Sequence, residues 1–509
     1  MKTRTKKNIA TVSGLTGISR ILGFVRDVVL AWLLGAGIFA DAFIVAFRIP
    51  NLLRRFMAEG AVSVAFVPVF TEAKERDGLE KAFMLARGVF TLLFLLLTAL
   101  VIIGEIVAPA LVAVIAPGFI DTETFDAAVR LTRIMFPYIL LIGIVALFMG
   151  ILNSLGHFSV PAAAPVLLNI FMVGIPLVFH VMIPVFSSPA DAFAWGVILG
   201  GIAQLVLHAI QLKRLHVPLG FTRRFYHPRL RQVGGLMGVA AIGASVYQIN
   251  VFVGTLLASL LATGSVSYLY YANRIVELPL GLFAFAVGNV MLPAMSVAHA
   301  RSDTSKLASL MGDSLSAVLI FTIPSTIGII VLAEPIFTVL FMRGAFTLQD
   351  SLLSAYALRM YALGLCAVGC SRILTQTLYS MQQAKVVVNV AWVTLGINVI
   401  LSLVLMRFMQ HAGIALANSI SVSLQVIILY RVLAKEGIRF AGNSFGQYAR
   451  MIIAAAAMGV CLLPFLSMRY WLEGFTFMSV FVLVGCIVLG AVVYFGLLWV
   501  MGFRNLLKS

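Results

Sequence analysis

Apolar runs of about twenty residues, each long enough to cross a bilayer as a helix, recur along this chain almost from end to end. They fall near 9–34, 38–68, 83–115, 131–155, 160–184 and 190–212. A second set falls near 233–261, 266–297, 308–341, 352–380, 384–406 and 411–433, and a last pair near 449–470 and 475–502. A soluble fold would have to cover these runs with a polar shell. Of the 509 residues 61% are hydrophobic and only 11% charged, where a soluble domain is about a quarter charged. In lipid the outer face is free to be as apolar as the core, provided that backbone polar groups are satisfied within each segment, which favours helices. The expected fold is an all-α integral membrane protein of about fourteen transmembrane helices, two six-helix lobes plus two C-terminal helices. The divisions are an N-terminal lobe at 1–212, a basic cytoplasmic linker at 213–232, a second lobe at 233–434 and the last two helices at 435–509.

The net charge of +17 is spread as membrane topology rather than as a nucleic-acid surface. Lys2, Arg4, Lys6, Lys7, Lys74, Arg76, Lys81, Lys213, Arg214, Arg229 and Lys435 all fall on one side if the spans alternate, while the 116–126 loop opposite carries Asp121, Glu123 and Asp126. The positive-inside rule then puts both termini in the cytoplasm. The 213–231 connection is the longest basic one and is suited to lie on anionic phospholipid headgroups. The first span is expected to be retained, because Arg20, Arg26 and Asp27 interrupt it and no small-residue cleavage site follows. Cys366, Cys370, Cys461 and Cys486 lie in apolar runs without metal-ligand spacing and read as packed, unpaired thiols.

The division into two sixes is supported by an internal repeat. GAGIFADAFIVAFRIPN, followed by FVP, resembles ATGSVSYLYYANRIVELP, followed by MLP, so that Arg48-Ile49 aligns with Arg274-Ile275 and Pro68 with Pro293. A similar offset places Met135-Phe136 on Met360-Tyr361. A parallel duplication of this kind suits two lobes that alternate access to a central site.

The charges inside the spans need a reason, since each costs about 2.5–3.5 kcal/mol at the bilayer centre on insertion scales. Arg20, Arg26, Arg48, Arg54, Arg55 and Arg274 outnumber Asp27, Asp41, Glu59 and Glu277 in these helices. Ion pairing of Arg20 or Arg26 with Asp27 or Asp41 explains part of the set and leaves an excess of guanidinium. That excess calls for an anionic ligand, and the planar fork of arginine suits phosphate oxygens. In RIPNLLRRFMAEGAVSVAFVP, Pro50 and Pro68 interrupt the helix around Arg54, Arg55 and Glu59. Two readings stand for this segment, a helix that bends during transport and a simple Arg55–Glu59 pair at i,i+4. Arg359 and Arg372 either line a cavity of the second lobe or reach an interface. No HExxH, P-loop, nucleophile elbow or dinucleotide fingerprint occurs in a usable context, so the chain is not expected to be an enzyme and has no expected catalytic residue, metal site or cofactor.

SRILGFVRD (19–27), ADAFIVAF (40–47), IPNLLRRFMAEGAVSVAFVPVF (49–70), APGF (116–119), FPYILLI (136–142), LNSLGHFSVPA (152–162) and GSVSYLYYANRIVELPLG (264–281) resemble the MurJ, or MviN, family. These are lipid II flippases of peptidoglycan biosynthesis, cell-wall biogenesis and cell shape, within the multidrug/oligosaccharidyl-lipid/polysaccharide exporter superfamily. The resemblance implies a fourteen-helix fold with a central cationic cavity in the bacterial inner membrane. Lipid II, an undecaprenyl-diphosphate-linked precursor, would pass from the cytoplasmic to the outer leaflet by alternating access. It implies substrate-binding roles for Arg20, Arg26, Arg54 and Arg274, and cavity or gating roles for Asp27, Asp41, Arg55, Glu59 and Asn273. It also implies a groove for the lipid tail on the last two helices, and lipid II, membrane phospholipids and other cell-wall synthesis proteins as partners. Asn273 stands where some relatives carry an acid, which would leave Arg274 more exposed to ligand. A sodium site of some relatives draws on acids in the seventh and eleventh helices, where this chain offers Gln248, Asn250 and Asn398. The expected driver is therefore the membrane potential or another ion gradient. The alternative substrate is another lipid-linked oligosaccharide or amphiphile.

Overall fold

The computed structural model describes residues 2–54, 65–183, 185–186, 188–218, 220–222, 228–439, 444–467 and 469–502. Among the described residues every regular element is helical. The first eight helices are α1 (Lys2–Leu34), α2 (Ile38–Arg54), α3 (Val67–Asp77), α4 (Leu79–Ile115), α5 (Glu123–Met135), α6 (Tyr138–Ser154), α7 (Ser159–Pro176) and α8 (Pro189–Arg214). They are followed by α9 (Pro228–Ser259), α10 (Ser265–Pro279), α11 (Phe285–Ala300), α12 (Thr304–Leu340), α13 (Leu348–Ala362) and α14 (Leu365–Ser380). The last three are α15 (Ala384–Lys435), α16 (Ser444–Leu462) and α17 (Phe477–Val500). By length and apolarity 8 spans are able to cross a membrane, with α5 and α6 counted as one, and the α13–α14 pair, bent by 42°, would be a ninth. The chain is a multi-pass membrane protein.

The helices repeat along the sequence. Helices α4 (79–115) and α12 (304–340) have the same length, and one constant step in numbering carries both ends of the first onto both ends of the second. The same step carries the start of α5 (123) onto that of α13 (348), the start of α7 (159) onto that of α15 (384), and the end of α1 (34) onto that of α9 (259). By spatial contacts the chain forms two compact units, Met1–Thr263 and Gly264–Ser509. Helix α9, the counterpart of α1 in the repeat, packs in the first unit against α3 and α4.

Several apolar runs are broken where side chains demand it. Between α5 and α6 the ring of Phe136 fills the space beside Gly104 of α4, where a Cβ would come within 1.8 Å of it, and Pro137 follows. The matching break between α13 and α14 is at Leu363-Gly364, where Ser419 closes in and its hydroxyl donates to the Met360 carbonyl at 2.7 Å. Helix α15 reverses at Gln410 (φ 53°, ψ −136°), so its two legs carry the two expected runs at 384–406 and 411–433. Gly413 is required at that reversal, because a Cβ would lie 2.4 Å from the Leu405 carbonyl oxygen. Pro68 lies in the first turn of α3, directly after a π-turn at 65–66. Pro suits that first turn, where its missing N–H has no helical partner anyway.

Candidate functional site: arginines at membrane depth

In the first unit α1 packs along α7 and presents Arg26 and Asp27 to it. Both are buried, and the Arg26 guanidinium grips one carboxylate oxygen of its neighbour, Nη2 to Oδ1 at 2.7 Å and Nε to Oδ1 at 3.0 Å. The remaining arm donates to Asn169 Oδ1 on α7 at 3.2 Å, with Met172 Sδ at 4.0 Å. Asn169 completes the clip by donating from Nδ2 to the Ser19 carbonyl at 3.1 Å. Gly23 lies against Asn169, which leaves room for the amide to reach both groups. The result is a buried guanidinium, hydrogen-bonded and oriented between α1 and α7, with its charge matched. Arg20 lies earlier on the same helix and is exposed.

Asp41 is buried in the first turn of α2, where the positive end of the helix dipole favours a carboxylate. Arg48, further along α2, donates to the Val251 carbonyl at 2.9 Å and to the Thr255 hydroxyl. It thereby ties α2 to α9 through main-chain and hydroxyl oxygens. Arg54 is the last residue of α2. Its side chain, together with Arg55 and Glu59, lies outside the described residues, so the bend and the i,i+4 pair expected there are not described.

In the second unit Arg274 sits half-buried on α10. Its Nη1 donates to Glu277 Oε2 at 2.9 Å, its Nη2 to the Tyr270 hydroxyl at 3.1 Å, and its Cζ lies 5.0 Å from the centre of the Tyr270 ring. Asn273 donates to the other oxygen of Glu277 at 3.0 Å. Asn273 and Arg274 thus share the Glu277 carboxylate, one oxygen each. One helical turn further, after Pro279, the backbone widens into a π-turn at Leu280–Ala284, a local loosening of the helix that occurs often at functional sites. Arg359 on α13 is closed off by Glu334 of α12 at 2.8 Å. Arg372 on α14 packs its stem toward Gly288 of α11.

Asn169, Asn398 and Asn418 bond between helices, as amides inside apolar runs are expected to do, whereas Glu277 was not expected as the partner of both Asn273 and Arg274. The signal for it was present as an acid three residues after an intramembrane arginine. Among the described residues no group of three or more His, Cys, Asp or Glu side chains is arranged to hold a metal ion. Asn398 instead bonds Asn418 at 3.4 Å across the two legs of α15, and Ser402 donates to it at 3.1 Å.

Known proteins share both the sequence and the fold. The family profile described as Lipid II flippase MurJ matches residues 30–482. The chain is 34% identical over 506 residues to the lipid II flippase MurJ of Burkholderia cenocepacia, covering 97% of each. It is 37% identical over 511 residues to a probable lipid II flippase MurJ of Vibrio cholerae, covering 98% of this chain and 97% of that one. Among solved structures, lipid II flippase MurJ in an inward closed conformation matches with a TM-score of 0.80 at 27% identity, over 97% of this chain and 99% of the other. An inward-facing multidrug transporter of the MATE family and MOP superfamily matches with a TM-score of 0.68 at 15% identity, over 82% and 94%, which is a likeness of fold alone.

Proposed function

Since this chain belongs to the lipid II flippase MurJ family, we propose that it flips lipid II from the cytoplasmic to the outer leaflet of the bacterial inner membrane. The observation that carries this reading is the match to that family in sequence and fold over nearly the whole chain. The arginines fit the cargo. Arg26 and Arg274 are each steadied by a neighbouring carboxylate and a second polar group, so the guanidinium is already oriented and little freedom is lost when it meets an anion. A diphosphate offers oxygens matched to the guanidinium fork. Arg20 and Arg54 are proposed to join them, with Asp27, Asp41, Arg55, Glu59 and Asn273 tuning the charge or the movement of the path. Large apolar side chains such as Phe477 and Phe481 stand exposed on α17, which suits a groove for the undecaprenyl tail on the last two helices.

Transport proceeds by alternating access, with both termini in the cytoplasm, and makes or breaks no covalent bond. Outward movement of a net anion across an inside-negative membrane gains about 2.3 kcal/mol per charge per 100 mV, so the membrane potential is the proposed driver. The test is depletion of the protein in its host combined with an assay of lipid II accessibility on the outer face. Accessible lipid II should disappear while total lipid II accumulates. Unchanged appearance on the outer face would sink the assignment.

A further inference from the structure

The repeat exposes a difference between the two units on the flanks of α5 and α13. Arg133 on α5 donates from Nε to the Glu105 carbonyl of α4 at 3.3 Å. In the second unit Arg359 on α13 donates from Nε to the Ile330 carbonyl of α12, also at 3.3 Å. Donors (133 and 359) and acceptors (105 and 330) are related by nearly the same step in numbering, so this is one interaction kept in both copies. Beyond it the copies diverge. Arg359 turns its Nη2 onto Glu334 at 2.8 Å. The step that carries α4 onto α12 sets Pro109 at the place of Glu334, and a proline side chain has nothing to offer a guanidinium.

In place of a carboxylate the first unit has a cavity of about 430 Å³. Arg133, Arg130 and Asp126 line it together with the apolar Pro109, Phe125, Val129 and Ile134. Asp126, Arg130 and Arg133 share the exposed face of α5 at helical spacing. Arg130 is held by Asp191 of α8 at 3.3 Å and Arg133 by the Glu105 carbonyl, so each guanidinium is anchored by one arm. Their other N–H groups have no partner among the described residues. The matching face of α13, set by aligning Arg133 with Arg359, carries Leu352, Tyr356 and Arg359, so the acid and the first arginine are particular to the first unit.

We propose that this cavity binds the zwitterionic headgroup of an outer-leaflet phospholipid bearing a primary amine. The phosphate lies between Arg130 and Arg133, and the ammonium group meets Asp126. Charge balance decides the class. Asp191 matches Arg130, which leaves Arg133 to take the phosphate charge and Asp126 to select a headgroup carrying its own cation over a purely anionic one. Depth agrees with this. At about 1.5 Å per residue, Arg130 and Arg133 lie roughly 10 and 15 Å along α5 from its first residue, within reach of the headgroup layer. The apolar lining then meets the first methylenes of the acyl chains, and the exposed row Ile102, Ile106 and Val114 on α4 continues toward lipid. Assignment to the outer leaflet rests on the proposed orientation. The chemistry of the cavity does not.

The test is native mass spectrometry of the full chain released from vesicles of equal phosphatidylethanolamine and phosphatidylglycerol content. One phosphatidylethanolamine should be retained in preference. The paired change R130Q/R133Q should lower its retention about tenfold, as expected for loss of charge-assisted hydrogen bonds. P109E should do the same by rebuilding the carboxylate partner found in the second unit, and it removes a helix-breaking residue rather than adding one. D126N should abolish the preference over phosphatidylglycerol while leaving phosphate binding. Equal retention of both lipids by the unaltered protein, or unchanged retention in P109E and R130Q/R133Q, would overturn the proposal. Because binding is read without transport, a negative result here is separate from failure of the flippase reading, which lipid II accessibility in the same vesicles reports.

Discussion

Arg26 in the first unit and Arg274 in the second each sit beside a carboxylate, yet the two pairs are built differently. The Arg26 and Asp27 side chains are 10% and 2% exposed, against 28% and 39% for Arg274 and Glu277. Arg26 is additionally clipped to another helix through Asn169, and Arg274 bonds Tyr270 and Glu277 of its own α10. A buried pair of this kind is strongly coupled to folding, because losing one member strands the other in a low-dielectric site. A more exposed pair on one helix contributes less to stability, because water screens it. The first pair is thus the more firmly fixed element of the scaffold.

The largest effect tests what the pairs share. Removing Arg20, Arg26 and Arg274 together as alanines should reduce lipid II flipping to background per inserted molecule, with yield lowered because Asp27 is left buried without its partner. Full activity in that variant would refute the proposed role of these arginines. The next effect separates the pairs. D27N should destabilise the protein by about 3–5 kcal/mol, the range for breaking a buried pair from one side, as read by thermal unfolding in detergent. The double change R26M/D27L should recover most of that stability without recovering transport. N169A, which opens the clip between α1 and α7, should cost about 0.6–1.7 kcal/mol, as for hydrogen bonds between membrane helices. Smallest in stability is E277Q, at no more than about 1 kcal/mol, with its effect expected in the transport rate. If E277Q unfolds the protein as readily as D27N, the distinction drawn between the two units is wrong.

The helical membrane fold was legible because span length and apolarity leave few alternatives, and the paired Arg48-Ile49 and Arg274-Ile275 already gave the repeat its approximate offset. The reversal at Gln410 was legible as the gap between the runs at 384–406 and 411–433. The separation of α5 from α6 was not, because it depends on the Phe136 ring meeting Gly104 from another helix. Spacing rules look for partners three or four residues away, which finds Glu277 for Arg274. The Arg26–Asp27 pair was expected from the charges of the first span and is present, whereas Glu334, which precedes Arg359 by 25 residues, lies beyond any local rule. The arginine excess inferred from counting is narrowed by these pairs, since Arg26, Arg274 and Arg359 all have a carboxylate at hand and Arg48 is taken by α9. The open place beside Arg133 becomes visible only when Pro109 is set against Glu334 in the second copy.

The most direct measurement reconstitutes the purified chain in vesicles of defined orientation, loads lipid II into the leaflet corresponding to the cytoplasmic side, and follows its arrival in the other leaflet with an impermeant reagent. The account predicts protein-dependent arrival that quickens when an inside-negative potential is imposed and is lost in the R20A/R26A/R274A variant. Equal arrival in vesicles with and without the protein, under an imposed potential, would contradict it.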